Sequence, residues 1–168
     1  MNSYQQLWWQ QAQSDHLVLV LLRQSGEAPY HQLHYLQMVT EKLAKAYFWR
    51  SGKPRLKSHA YFAPYLRALG SVRQSERQQV VDAFAFRRFE DFQRYIKANL
   101  DLAYELQRLA PALADDGPNP EYPWPQGGPE YAPATFEFDI WSKLTGTGRG
   151  RQLLRLIECA VDKFPLYS

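Results

Sequence analysis

The chain has 168 residues, 45% of them hydrophobic and 22% charged, which suffices for one domain with its own core and makes metal or disulfide staples unnecessary. Twenty basic residues against seventeen acidic ones leave a net charge of only +3. That excludes the dense basic footprint of a dedicated nucleic-acid binder, so nucleic acid is permitted as a partner and not demanded. The single cysteine, Cys159, excludes an intrachain disulfide and fits a reducing compartment. The apolar run at 17–22 is too short to span a bilayer and no N-terminal run resembles a signal peptide. A soluble, cytoplasmic protein with no membrane partner is therefore expected.

The first helix is predicted over 3–24, opened by a capping box between Ser3 and Gln6 in which side chains satisfy the first free N–H groups. Its seam, Trp8, Ala12, Asp15, Leu19 and Leu22, advances in steps of three and four. Gly26 and Pro29 end it and force the next helix to run back antiparallel. That second helix covers about 30–50, with an apolar seam at Leu33, Leu36, Thr40, Leu43 and Tyr47. Gln37, Glu41 and Lys45 follow at i, i+4, i+8 as a polar stripe beside it. It should stop near Ser51-Gly52-Lys53-Pro54, where glycine accepts the left-handed cap and proline forbids continuation.

Shorter helices follow at 58–69 and 75–85, the second with a possible Ser75–Gln78 box. Residues 87–113 then form one long helix, or a slightly broken one, carrying Phe89, Phe92, Ile96, Leu100, Leu102, Leu106, Leu109 and Leu113, with i, i+4 pairs Glu90–Arg94 and Lys97–Asp101. Composition changes at Asp115-Asp116-Gly117-Pro118. From there to Pro133 the chain is rich in Pro and Gly, yet it holds Tyr122, Trp124 and Tyr131, which predicts an ordered arm and not a flexible linker. Residues 135–140 alternate with period two and predict a brief strand or extended segment. A last helix is predicted over 149–164.

The expected fold class is all-α: an antiparallel four-helix up-and-down bundle with extra short helices, a Pro/Gly-rich arm and a C-terminal helix. The whole chain, 1–168, is expected to be a single domain, divided into a core bundle at 1–114, the arm at 115–147 and the C-terminal helix at 148–168.

Ala12-x-x-Asp15, the short turn, and Gln37-x-x-x-Glu41-Lys42-x-x-Lys45-Ala46, followed by Lys57-Ser58-His59, resemble the opening of HEPN domains, a family of helical bundles often linked to RNA or nucleotide chemistry. The resemblance is best over residues 5–70, extends to 113 and is faint beyond. It implies a homodimer, with RNA, a nucleotide or a partner protein such as a nucleotidyltransferase as ligand, in a toxin–antitoxin or defence setting. Many members are metal-independent ribonucleases whose signature is an Arg followed four to six residues later by His at the end of the long helix. Here that helix ends at Arg108 and no histidine follows anywhere in the chain. Asn119-x-x-Tyr122-Pro123-Trp124 occupies the region and is similar to the tyrosine–proline segment of branches lacking the pair. The resemblance therefore points to a non-catalytic binding module. The alternative is an endoribonuclease with a non-standard set, Arg55 and His59 being the candidate pair; the usual place after the long helix offers no histidine to move the 2′-OH proton near neutrality.

Read from the residues, Asp15 is the sharpest polar anomaly, because a seam carboxylate is costly without a partner. It either pairs with Lys42 or Lys45, or joins Gln37, Glu41, Lys42 and Lys45 as a polar cluster lining a groove. His31 and His34 at i, i+3 could face a metal, but no third ligand follows by spacing, so neither metal nor cofactor is expected. Gly146-Thr147-Gly148-Arg149-Gly150-Arg151 precedes the last helix and offers N–H groups and two arginines to an anion, though it lacks the ending of a phosphate-binding P-loop. Arg87, Arg88, Arg94 and Lys97 could form a basic strip with interleaved rings for single-stranded nucleic acid, or an ordinary solvated face. Arg87, Arg94, Arg149 and Arg151 are the expected anion contacts.

Overall fold

The computed structural model describes residues 1–51, 58–125 and 130–168. These residues are mostly helical: α1 (Ser3–Gln24), α2 (Pro29–Phe48), α3 (Phe62–Leu69), α4 (Arg77–Phe84), α5 (Phe89–Gln107), α6 (Asp139–Gly146), α7 (Gly148–Asp162) and α8 (Phe164–Tyr167), with a two-strand hairpin, β1 (Trp124–Pro125) and β2 (Glu130–Tyr131). In the hairpin Trp124 stands opposite Tyr131 in an antiparallel register.

α1 and α2 pack antiparallel, as the short turn requires. Asn2 Nδ2 reaches Trp49 O across 3.1 Å, Tyr4 stacks on Trp49, and further along Trp8 faces Lys45. The capping box forms one residue earlier than predicted: Asn2 Oδ1 accepts from Gln5 N while Gln5 Oε1 accepts from Asn2 N, both at 2.9 Å. Asn is at least as good an N-cap as Ser, because its amide oxygen reaches the N3 donor as readily. Gly26, at φ 69°, supplies the left-handed turn, and Pro29 opens α2. The α2 seam is buried at all five predicted positions. α2 ends at Phe48 and tightens into a 3-10 turn, Trp49–Ser51; the predicted stop at Gly52-Lys53-Pro54 lies outside the described residues.

α7 lies across α1, held by Trp9 Nε1 donating to Val161 O at 2.7 Å and by Arg23 Nη1 to Glu158 Oε1 at 3.1 Å. His16 sits at the same crossing, facing Asp162, Glu158 and Arg23, and burial lowers its pKa despite the two carboxylates. Its Nε2 is buried without a hydrogen-bond partner. The unfolded chain therefore takes a proton below about pH 6.5 that the folded one resists, so stability present above that pH is lost as the pH falls toward the folded-state pKa. His16→Leu is expected to flatten the fall in urea midpoint between about pH 6.5 and 5; an unchanged slope would show that His16 does not carry it.

Several elements depart from the sequence expectation, some for local reasons and some through distant partners. α3 begins at Phe62, not at 58, and the free N–H of Ala63 is satisfied from afar by Gln107 Oε1 of α5 at 3.1 Å. The Ser75–Gln78 box is not made: Glu76 Oε2 accepts from Arg73 N and Gln78 donates to Asp82. Of the two forms expected for the long helix, the broken one is present: it ends at Gln107, because Pro111 cannot continue it and restarts the chain as a 3-10 turn, Pro111–Leu113. Asn99, not Leu100, occupies the buried position in mid-helix. Glu90–Arg94 and Lys97–Asp101 do not pair as expected, since Arg94 and Arg88 both take Asp91 and Asp101 takes Arg149.

The arm is ordered where described, as its rings predict. Trp124, 2% exposed, packs with Tyr131, Phe136 and Phe138, and Asn119 Oδ1 accepts from the N–H groups of Glu121 and Tyr122. The alternation at 135–140 is correct in burial, and the extended segment it predicts is present over 136–138. Phe136 and Phe138 are extended and flank exposed Glu137, after which Asp139 begins α6. The last predicted helix is divided at Lys163, because Pro165 starts the separate turn α8. There Tyr167 donates to Ala160 O and shares a 2.7 Å hydroxyl contact with buried Tyr65.

Ala85, which caps α4, holds φ 57° and ψ 38°, a left-handed conformation in which a Cβ costs about 1–2 kcal/mol. Ala85→Gly is expected to stabilise by about 0.5–1 kcal/mol, after the added entropy of the unfolded glycine is subtracted. A chemical-denaturation midpoint that falls instead would contradict this.

Candidate functional site

Asp15 does meet the second helix. Lys42 Nζ contacts its Oδ2 and Gln11 Nε2 donates to its Oδ1 at 3.3 Å, so the seam carboxylate is neutralised within the α1–α2 hairpin and not by Lys45.

One turn along, Gln37, Glu41 and Lys45 are all buried, so the stripe predicted beside the seam belongs to the interior. The Glu41 carboxylate is the hub. Its Oε1 accepts from Lys45 Nζ at 2.6 Å, and its Oε2 accepts from Gln37 Nε2 at 2.9 Å and lies 2.8 Å from His59 Nδ1. Burial alone would raise the pKa of Glu41, but the hydrogen bonds from Lys45, His59 and Gln37 together with the Lys45 charge lower it overall. The Lys45 ammonium also lies 5.0 Å from the Trp8 ring centroid, a cation–π contact that helps replace lost water. A carboxylate facing His59 Nδ1 selects the tautomer protonated there and leaves Nε2 as the available base. His59 keeps 39% of its side chain exposed. Arg55 and Lys57 lie outside the described residues.

The structure thus gathers Gln37, Glu41, Lys45 and His59 into one network and seats Asp15 with Lys42 in a neighbouring one. Trp8 and His59 are the members that the helical spacing of α2 could not supply.

The anion candidates are largely occupied. Arg149 donates to Asp101 Oδ2 and Ala98 O, and Arg151 to Thr145 O at 3.0 Å. Gly148, Arg149, Gly150 and Arg151 form the first turn of α7 and do not precede it, and Thr147 Oγ1 caps Gly150 N at 2.9 Å. Arg94 and Arg88 bond to Asp91, as a solvated face would; Arg87 and Lys97 are exposed. His31 packs on Tyr30, while His34 Nδ1 is 3.5 Å from Glu121 Oε1 yet makes no hydrogen bond. No group of three metal-ligating side chains occurs among the described residues.

At the end of α5, a cavity of about 520 Å³ opens between Arg108 and the arm. Glu105, Asp115, Glu137 and Asp139 line it with that one guanidinium, and Lys143 neutralises only Glu105. The surplus of carboxylates opposes a phosphate there.

Among the described residues no helix is long and apolar enough to cross a membrane. No family model matches the chain, and neither a curated protein nor a solved structure matches it.

Proposed function

We propose that the chain is a HEPN-like domain, an antiparallel up-and-down four-helix bundle within 1–114 to which the arm and the C-terminal helix are added. In this reading it acts in the cytoplasm as a homodimeric, non-catalytic module that binds RNA or a nucleotide. A nucleotidyltransferase-type partner, in a toxin–antitoxin or defence setting, fits the same reading. The observation that carries the non-catalytic part is the saturation of Glu41: three donors converge on a buried carboxylate, which leaves it to hold α2 against the His59 segment and not to turn over a substrate. The lack of any histidine beyond His59 and the acidic lining around Arg108 support the same reading.

One observation favours the alternative, a metal-independent endoribonuclease: the Glu41–His59 contact with an exposed imidazole is the arrangement of an oriented general base. Incubation of purified protein with single-stranded RNA, without metal, separates the two. The expected result is intact RNA with wild type and with His59→Ala, together with RNA binding that weakens steeply as salt rises. Cleavage by wild type and not by His59→Ala would replace the first reading with the second, and no RNA or nucleotide binding at any salt would remove the ligand from the first.

A further inference from the structure

Between the corner joining α4 to α5 and the flank of α7 lies a cavity of about 370 Å³, within the range of small-ligand pockets. Its apolar wall is aromatic. Phe84, Phe86 and Tyr95 line it; Phe86 and Tyr95 are only half-buried, and their ring centroids are 5.3 Å apart. Gln152, Arg155 and Cys159 of α7 line the opposite side.

Two contrasts give this cavity its chemistry. No carboxylate lines it, unlike the cavity at Arg108. Arg23, Arg50, Arg88, Arg94 and Arg149 each sit on a carboxylate, whereas the Arg155 side chain, like those of Arg87 and Arg108, has no ion-pair or hydrogen-bond partner among the described residues, and neither do the Gln152 amide and the Tyr95 hydroxyl; Arg108 shares its cavity with carboxylates and Arg155 does not. An apolar ring surface with a few unpaired polar groups at its margin is the composition of a ligand site, and an uncompensated guanidinium beside two tilted, half-exposed rings suits an anion that carries a planar ring.

We propose that this cavity binds a nucleoside monophosphate unit: the base against Phe86 and Tyr95, its edge hydrogen-bonded by Gln152 and the Tyr95 hydroxyl, and the phosphate paired with Arg155. The proposal rests on the RNA- or nucleotide-binding reading above and moves the anion contact from Arg149 and Arg151 to Arg155. The unit is either a free mononucleotide or one residue of a single-stranded RNA.

Cys159, the chain's single cysteine, reports occupancy. Burial raises its thiol pKa, so alkylation by iodoacetamide is followed at about pH 9.5, where a larger fraction of the thiol is ionised. In wild type, uridine or adenosine 5′-monophosphate at up to about 1 mM is expected to protect the thiol saturably. In Arg155→Ala and Gln152→Ala, whose side chains are exposed, protection weakens, about tenfold in apparent Kd for Arg155→Ala, with the melting temperature unchanged. Ribose 5-phosphate, which lacks the base, does not protect. Protection by an oligouridylate and not by the mononucleotides assigns the site to RNA; protection by both assigns it to the free nucleotide. No protection by either, or equal protection in Arg155→Ala, overturns the proposal. Salt-sensitive RNA binding that leaves alkylation unaffected overturns this site while leaving the binding-module reading intact.

Discussion

Glu41→Ala is expected to lower folding stability by about 3–5 kcal/mol, because it leaves the Lys45 ammonium buried without its counter-charge. Lys45 and Glu41 expose only 5% and 8% of their side chains, so water does not screen the loss, and Gln37 and His59 lose their acceptor as well. The size of the effect comes from the orphaned charge more than from the strength of the pair. Glu41→Leu combined with Lys45→Met should therefore recover most of the stability lost in the single variant. Urea denaturation of the two variants tests this: a double variant as unstable as Glu41→Ala would place the cost in packing. The pH dependence has a defined sign. The folded-state pKa of Glu41 is lowered, so its stabilisation is complete above the ordinary glutamate range and is lost as pH falls through the folded value. Glu41→Ala should accordingly be less sensitive to acid than wild type below about pH 4.3.

Gly150→Ala is expected to cost about 3 kcal/mol or more, against the gain of about 1 kcal/mol that helix propensity alone would assign. A Cβ at this position would stand 2.1 Å from Lys143 O and 2.5 Å from Leu144 Cα, so the first turn of α7 approaches the backbone of α6 more closely than any side chain allows. Neither contact is with a flexible side-chain end that could swing aside; α6 and α7 must separate, exposing Leu144 and Leu153, both fully buried. Gly148 and Gly146 meet nothing within 4 Å, and Gly148→Ala should be neutral or stabilising by a few tenths of a kcal/mol. Equal melting temperatures for Gly150→Ala and Gly148→Ala would refute the close approach.

The α1–α2 hairpin was legible because one seam with steps of three and four defines each helix, and a short turn with Gly26 and Pro29 leaves only the antiparallel return. Asp15 was legible for the same reason: a carboxylate on a seam needs a cation from the facing helix, and Lys42 was among those within reach. Where the arm is described, its rings pack on one another. The misreadings that bear on the sites depend on groups distant in sequence. Asp101 lay at pairing distance from Lys97 along α5, but Arg149 of α7 takes it. The glycine-rich run before residue 151 had the composition of an anion loop, yet Gly150 is there for the contact with α6. Nothing in local spacing distinguishes the two.

By itself, the sequence determined the helical character, the register of the first two helices and the need of Asp15 for a cation from the facing helix, because periodicity, capping chemistry and the cost of a lone buried charge act over a few residues or one turn. Only the tertiary structure decided that Glu41 is a saturated buried hub and that Arg149 and Arg151 are occupied. It alone brought Phe86, Tyr95 and Arg155 together around a cavity. Each of these depends on which side chain arrives from another helix to fill a carboxylate's lone pairs or leave a guanidinium without a partner, and packing of the whole chain settles that.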